Sequence, residues 1–301
     1  MKFRLLNLLL ACIYSVHIGA QEFELYQSKS LSGKWSLNDS LNQQPLFSFE
    51  PYKPVYILFA NYSNNINQRP RSENPVNTFQ EALDFNKTEL KFQISFKTKV
   101  LRNILGEKLG GAIFLAFTQS SRWQFYNDVN SRPFRETNYA PEIIFIVPTK
   151  YQFFNLRGAY TGISITHESN GRSNPASRSW NRVIFHLGLE SERWRVLVKP
   201  WIRISEDFEE DNNPNIEDYV GRGEVLIAYH PHHKHQFSLS GKHSLKGGSN
   251  SRGSMQFDYA IKVYDNLKIY TQIFHGYGES MIDFNHTQTT FGVGVSLINW
   301  I

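Results

Sequence analysis

Beyond residue 50 the chain alternates between apolar and polar positions. Phe92, Ile94 and Phe96 are interleaved with Gln93, Ser95 and Lys97. Trp194, Val196, Val198, Pro200 and Ile202 stand against Arg193, Arg195, Lys199 and Arg203, and Phe291, Val293, Val295 and Leu297 against Gly292, Gly294 and Ser296. Successive side chains of a strand point to opposite faces, so period two predicts strands with two chemically different sides. Twelve such segments can be read, at residues 55–62, 90–100, 110–119, 140–148, 158–169, 179–190, 192–204, 218–229, 235–244, 251–263, 266–277 and 287–299. A soluble sandwich also alternates, so the connections have to discriminate. Those after the first, third, fifth and seventh strands (63–89, 120–139, 170–178 and 205–217) are long or polar, whereas Ser191 and Tyr264-Asp265 mark tight turns after the sixth and tenth. An even number of strands with long loops at one end describes an all-β fold: a twelve-stranded antiparallel transmembrane barrel of up-and-down topology. Glycines and charges are then expected inside, aliphatic and aromatic residues outside against lipid.

Residues 21–50 lack the alternation and form an N-terminal arm whose disposition the sequence leaves open. Residues 1–20 have the layout of a signal peptide: Lys2 and Arg4, an apolar stretch from Leu5 to Ile18, then Gly19-Ala20 at the cut. The expected division is therefore signal peptide 1–20, arm 21–50 and barrel 51–301. Aromatic residues make up 15% of the chain but only 41% is hydrophobic, and the mean hydropathy is −0.42. With no apolar run of transmembrane-helix length after the N-terminus, a helical membrane protein is excluded. The single cysteine, Cys12, lies in the signal segment, which excludes a disulfide framework and a multi-thiolate metal site. Loss of Lys2 and Arg4 lowers the formal charge from +5 to +3, too mild a balance to point to nucleic acid as a partner.

The informative deviations are polar residues on apolar stripes. His167 and Ser169 share a face with Ile163 and Ile165, and Asn181 shares one with Val183, Phe185 and Leu187. Polar side chains facing lipid are costly unless they satisfy one another or act. A serine two residues from a histidine on one strand face is within reach of its imidazole, and a neutral asparagine can fix the ring tautomer without placing a charge beside lipid. The spacing alone equally describes a polar rim where strands leave the membrane. Gln119 ends the stripe Ile113, Leu115, Phe117 and by itself reads as a polar cap at the interface. His230, His232, His233 and His235 fall at a tight turn around Pro231, and the acidic run Glu206, Asp207, Glu209, Glu210, Asp211 reads as a solvated loop.

The block from His167 to Arg182 (HESNGRSNPASRSWNR) resembles the active-site segment of the outer membrane phospholipase A family, and so do Pro133–Tyr139, Val198–Trp201 and Gly276–Asn285. The resemblance spans residues 50–301. It implies a Gram-negative outer-membrane enzyme that hydrolyses the acyl esters of phospholipids and lysophospholipids (A1/A2 type), with calcium, as a homodimer, and with its site on the outer-leaflet side. Carried over by position, Ser169 is nucleophile, His167 general base and acid, Asn181 orienter and the Gly171 N–H an oxyanion donor. Calcium ligands are the Arg172 carbonyl, the Ser177 hydroxyl and the carbonyl of the partner subunit's Ser131, and Gln119 is a dimer contact. The chain departs from the family at Asn174 and around Asn212, where acidic residues of a second calcium site are expected, and its end, Asn299-Trp300-Ile301, departs from the terminal Phe usual in outer-membrane barrels. The rival reading is a barrel without catalysis, a porin or adhesin.

Overall fold

The computed structural model describes residues 30–37 and 45–298; the expected signal peptide, Cys12 and the carboxyl-terminal residues 299–301 lie outside them. Twelve long strands form the wall: β1 (Val55–Ser63), β2 (Thr88–Arg102), β3 (Ala112–Trp123), β4 (Glu136–Pro148), β5 (Leu156–Ser169), β6 (Ser179–Glu190), β7 (Trp194–Ile204), β8 (Gly223–His232), β9 (His235–His243), β10 (Gly253–Tyr264), β11 (Leu267–Tyr277) and β12 (Thr287–Ile298). Each pairs antiparallel with the next, and β12 pairs with β1 to close the barrel. Closure leaves no unpaired strand edge in the wall, the condition a sheet must meet to cross a bilayer.

The alternation sorts as expected. Ile94, Leu115, Ile143, Ile165, Ile202, Val225, Ile273 and Phe291 are exposed on the outside, while Lys97, Ser164, Thr166, Arg195, Gln272 and Ser296 are buried within. Two boundaries differ from the sequence reading. β8 begins at Gly223, because Ile216 and Val220 do not belong to the wall; they fold back over the lumen from a 3-10 turn at Ile216–Asp218. The connection between β3 and β4 is shorter than predicted, because the polar stretches Gln119–Arg122 and Glu136–Tyr139 pair in register. Six long connections (64–87, 124–135, 170–178, 205–222, 244–252 and 278–286) emerge at one end of the barrel. The tight turns at 191–193, 233–234 and 265–266 and the start of β1 lie at the other.

Not all aromatic residues face lipid, and here the expectation is corrected. At the short-turn end the arm enters the barrel: α1 (Leu31–Lys34) is capped by the Ser30 hydroxyl, and Glu190 accepts from Leu31 N at 2.6 Å and from Ser32 Oγ at 3.1 Å. Trp35, 3% exposed, meets Tyr52, Phe114 and Tyr160 edge-on at 5.8, 5.0 and 5.5 Å. Lys97 Nζ sits 5.1 Å over its ring. At the loop end Trp180, Trp201, Ile216, Val220, Met281 and Phe284 make a second apolar cap. Between the two caps lies a polar interior with a cavity of about 230 Å³ lined by residues such as Lys53, Glu142, Arg182 and Glu224. Large apolar side chains turn inward where the barrel must be shut.

Candidate active site on the outer wall

β5 and β6 are neighbours whose register sets His167 opposite Asn181 and Ser169 opposite Ser179. Directly opposed residues on one sheet face have Cβ atoms about 5 Å apart, and here the side chains join: His167 Nδ1 and Asn181 Oδ1 are 2.9 Å apart. With Oδ1 turned toward the ring and only able to accept, the contact matches an Nδ1–H tautomer with the lone pair on Nε2. His167 is exposed on the outer wall; Asn181 and Ser169 are half-buried there. Ser169, two residues on, is on the same face at the strand end; among the described residues its hydroxyl makes no hydrogen bond. Catalytic serine–histidine contacts are often loose before substrate binds.

The loop 170–178 follows at once, and the sequence reading missed the residue that shapes it. Asn170, 2% exposed, accepts from Arg178 N at 3.0 Å and Arg172 N at 3.3 Å, and donates to the Ala176 carbonyl at 2.7 Å. Its amide also donates to both Glu136 oxygens at 3.3 and 3.2 Å. Glu136 in turn accepts from Ile282 N at 3.1 Å, tying the loop to segment 278–286. Gly171 follows with φ +61°, a left-handed conformation that L-residues rarely adopt. A side chain there would also approach the Tyr139 ring to 3.4 Å. Its N–H is therefore presented by a backbone that only glycine takes up freely.

Two other stretches of the resemblance, Pro133–Tyr139 and Gly276–Asn285, form an ion-paired frame tied to this loop through Glu136. Arg135 donates twice to Glu89, at 2.7 and 2.9 Å, and once to Asp283 at 3.0 Å. Glu279 joins Lys91 at 2.6 Å and Arg122, all three buried. Burial alone raises the Glu279 carboxyl, but Arg122 and Lys91 outweigh it and hold it at about 2. Arg178, fully buried, is held by carbonyls rather than carboxylates: Pro175, Ser177, Arg71 and Asn77. Burial draws its guanidinium down to about 10.

The expected calcium ligands are placed as follows. Ser177 is half-buried in the loop and Arg172 is exposed, its guanidinium donating to the Phe134 carbonyl at 3.1 Å, in the same connection as Ser131. The Ser131 carbonyl accepts from Trp123 Nε1 at 2.7 Å and keeps its second lone pair. Carbonyl and hydroxyl oxygens are the hard donors calcium takes, so this set fits the ion. The second site does not fit. Asn174 Oδ1, the Ser177 carbonyl and Asn212 Oδ1 converge on the Asn77 amide nitrogen at 2.9, 3.1 and 3.2 Å, so an N–H donor already sits among the oxygens and no carboxylate supplies charge. Among the described residues no group of three His, Cys, Asp or Glu side chains is arranged to hold a metal.

Gln119 stands half-buried on the outer face of β3, its amide donating to Ser121 Oγ at 3.2 Å. Two members of the acidic run are not solvated as the sequence suggested. Asp211 is buried against Arg203 at 2.5 Å, and Glu206 accepts from Asn181 Nδ2 at 2.8 Å.

These features define a class: a closed transmembrane β-barrel that carries a hydrogen-bonded His–Asn pair with a neighbouring serine on its lipid-facing wall. The phospholipase A1 family profile matches residues 31–297. Phospholipase A1 of Salmonella typhimurium is 34% identical over 276 residues, 91% of this chain and 90% of that one, and phospholipase A1 of Escherichia coli K12 is 33% identical over the same length. Among solved structures, outer membrane phospholipase A from Escherichia coli superposes with a TM-score of 0.77 at 31% identity, covering 90% of this chain and all of that one. The Salmonella typhi outer membrane phospholipase, a dimer with bound calcium, gives 0.76 at 33% identity over 89% of this chain and 99% of its own. The chain belongs to the phospholipase A1 family.

Proposed function

We propose that the protein is a calcium-dependent outer-membrane phospholipase of A1/A2 type, active as a homodimer on phospholipids and lysophospholipids, with Ser169, His167 and Asn181 as its triad. The observation that carries this is the His167–Asn181 hydrogen bond, on the lipid-facing wall beside Ser169, in a chain of this family. An asparagine-to-alanine form of the Escherichia coli enzyme is described as an active-site mutant, and the match to it has a TM-score of 0.77; this supports the role given to Asn181.

The reaction follows from the tautomer. His167 Nε2 takes the Ser169 proton as Oγ attacks the ester carbonyl, and the imidazolium that forms keeps its Nδ1–H on Asn181. The Gly171 N–H donates to the tetrahedral oxygen. His167 then protonates the departing glycerol-backbone oxygen of the lysophospholipid or glycerophosphodiester; water deprotonated by His167 attacks the acyl-enzyme, and the proton returns to Ser169 Oγ as the fatty acid leaves. Held by the Arg172 carbonyl, the Ser177 hydroxyl and the carbonyl of the partner subunit's Ser131, calcium would supply positive charge to the developing oxyanion. The need for a partner's ligand makes dimerisation an on-switch, with Gln119 at the contact. The loop end faces the exterior, so the site meets the outer leaflet.

The lumen speaks against the rival porin. Trp35 fills one end, the Trp180–Phe284 cluster covers the other, and Lys91, Arg122 and Glu279 bridge the space between strands. Labelling with a serine-reactive fluorophosphonate in detergent tests the enzyme reading. Calcium-dependent labelling of the wild type, lost in Ser169→Ala together with esterase activity, is expected. An unlabelled wild type, or a Ser169→Ala protein that retains esterase activity, overturns it.

A further inference from the structure

We infer that Glu206 is a positioning residue for the reaction: its carboxylate locks the Asn181 amide in the one orientation that makes His167 a base toward Ser169. The inference rests on the triad reading and deepens it. An asparagine amide is nearly symmetric in shape, and either end can face an imidazole. With Oδ1 toward the ring, His167 carries its proton on Nδ1 and Nε2 is free to accept; with the amide turned round, Nδ2 would donate to Nδ1 and the proton would move to Nε2, where it blocks the serine. The His167–Asn181 pair alone does not choose between these.

Glu206 makes the choice. Asn181 lies opposite Ile204, the last residue of β7, and Glu206 follows two residues beyond, in the loop that leaves the strand beside Asn181. Its Oε1 is 2.8 Å from Asn181 Nδ2. An ionised carboxylate only accepts, so the nitrogen must face Glu206 and the oxygen must face His167. The same contact polarises the amide, making Oδ1 a stronger acceptor when His167 becomes an imidazolium. Glu206 is half-buried beyond the last paired residue of β7, so the charge sits in the loop and the neutral amide extends its influence toward the lipid-facing wall.

The test compares Glu206→Gln, Asn181→Ala and the double variant in calcium-loaded mixed micelles, with folding checked by the heat-dependent gel shift of intact barrels. Glu206→Gln preserves size but can present a donor or an acceptor, and so removes the lock. It is expected to lower kcat about tenfold, the scale of one charge-assisted hydrogen bond, with KM unchanged. In the Asn181→Ala background the same change should have no further effect. Nitrogen-15 spectra of labelled histidine should show His167 as the Nδ1–H tautomer in the wild type and as a mixture in Glu206→Gln. A Glu206→Gln enzyme with wild-type kcat and tautomer, beside an impaired Asn181→Ala, overturns the role of Glu206 and leaves the triad standing. Equal loss from Glu206→Gln in both backgrounds overturns action through Asn181. An unimpaired Asn181→Ala overturns the triad reading itself.

Discussion

Replacing Glu279 by glutamine strips the charge from a carboxylate that serves two buried cations. Its side chain is 1% exposed, with Lys91 Nζ at 2.6 Å and Arg122 on the other oxygen. These partners hold the group at about 2, against an ordinary 4.5, despite burial that pushes the other way. A carboxylate held that far below its ordinary value corresponds to about 3 kcal/mol. Removing one partner of a buried ion cluster costs about 3–5 kcal/mol, which agrees. The variant should therefore unfold about 100-fold more readily at pH 7. Because the folded value lies below the unfolded one, this stabilisation is complete above about pH 4.5 and is lost as pH falls through about 2. Urea unfolding in detergent micelles, followed by tryptophan fluorescence at pH 7, 4.5 and 2, measures it. Equal midpoints at pH 7, or a difference that persists undiminished at pH 2, would refute the reasoning.

Other consequences follow from the same geometry. Gly171→Ala forces a side chain into φ +61° against Tyr139; displacement of the N–H should lower kcat about 100-fold with little change in KM, as for loss of an oxyanion donor. Trp35→Ala empties the short-turn cap and should cost about 3–5 kcal/mol, read as a lower melting temperature with the strand content of the barrel preserved by circular dichroism. Asn77→Asp places a carboxylate among three oxygen acceptors in place of the bridging amide. That variant should melt below the wild type in chelator and regain the difference in millimolar calcium, beyond any shift calcium gives the wild type. Chelation of the wild type should abolish hydrolysis while leaving the barrel folded.

Most of the wall was legible in the sequence because a lipid-facing strand has to alternate, and eleven of the twelve segments begin within four residues of the observed strands. The exception, β8, was read from 218 because Val220 fits the apolar pattern for another reason, packing with Ile216, Trp201 and Phe284 in the loop-end cluster. Period two could identify the faces but not the inward aromatics, since Trp180 and Trp201 sit among polar neighbours and earn their place by covering Arg182, whose guanidinium is 3.8 Å from the Trp180 ring centre. The His167–Asn181 contact was accessible from strand register. Asn170, Asn77 and Glu206 were not: each takes its role from a segment distant in the chain or across a strand, and polar loop residues look alike until their partners are known. Asn77 reaches Asn174 across 97 positions.

The position of His167 on the outside of the barrel also fixes how concentration should be reckoned. With the proposed triad on this wall, substrate would approach by lateral diffusion in a film one lipid layer thick, and the quantity that saturates the enzyme would be the mole fraction of phospholipid at the barrel surface. Diluting the membrane with inert amphiphile at constant bulk phospholipid should slow turnover, whereas diluting the whole suspension at constant surface composition should scarcely change the rate per enzyme molecule. Inhibitors are subject to the same rule: their potency will follow how strongly they partition into the bilayer as well as how well they fit beside Ser169.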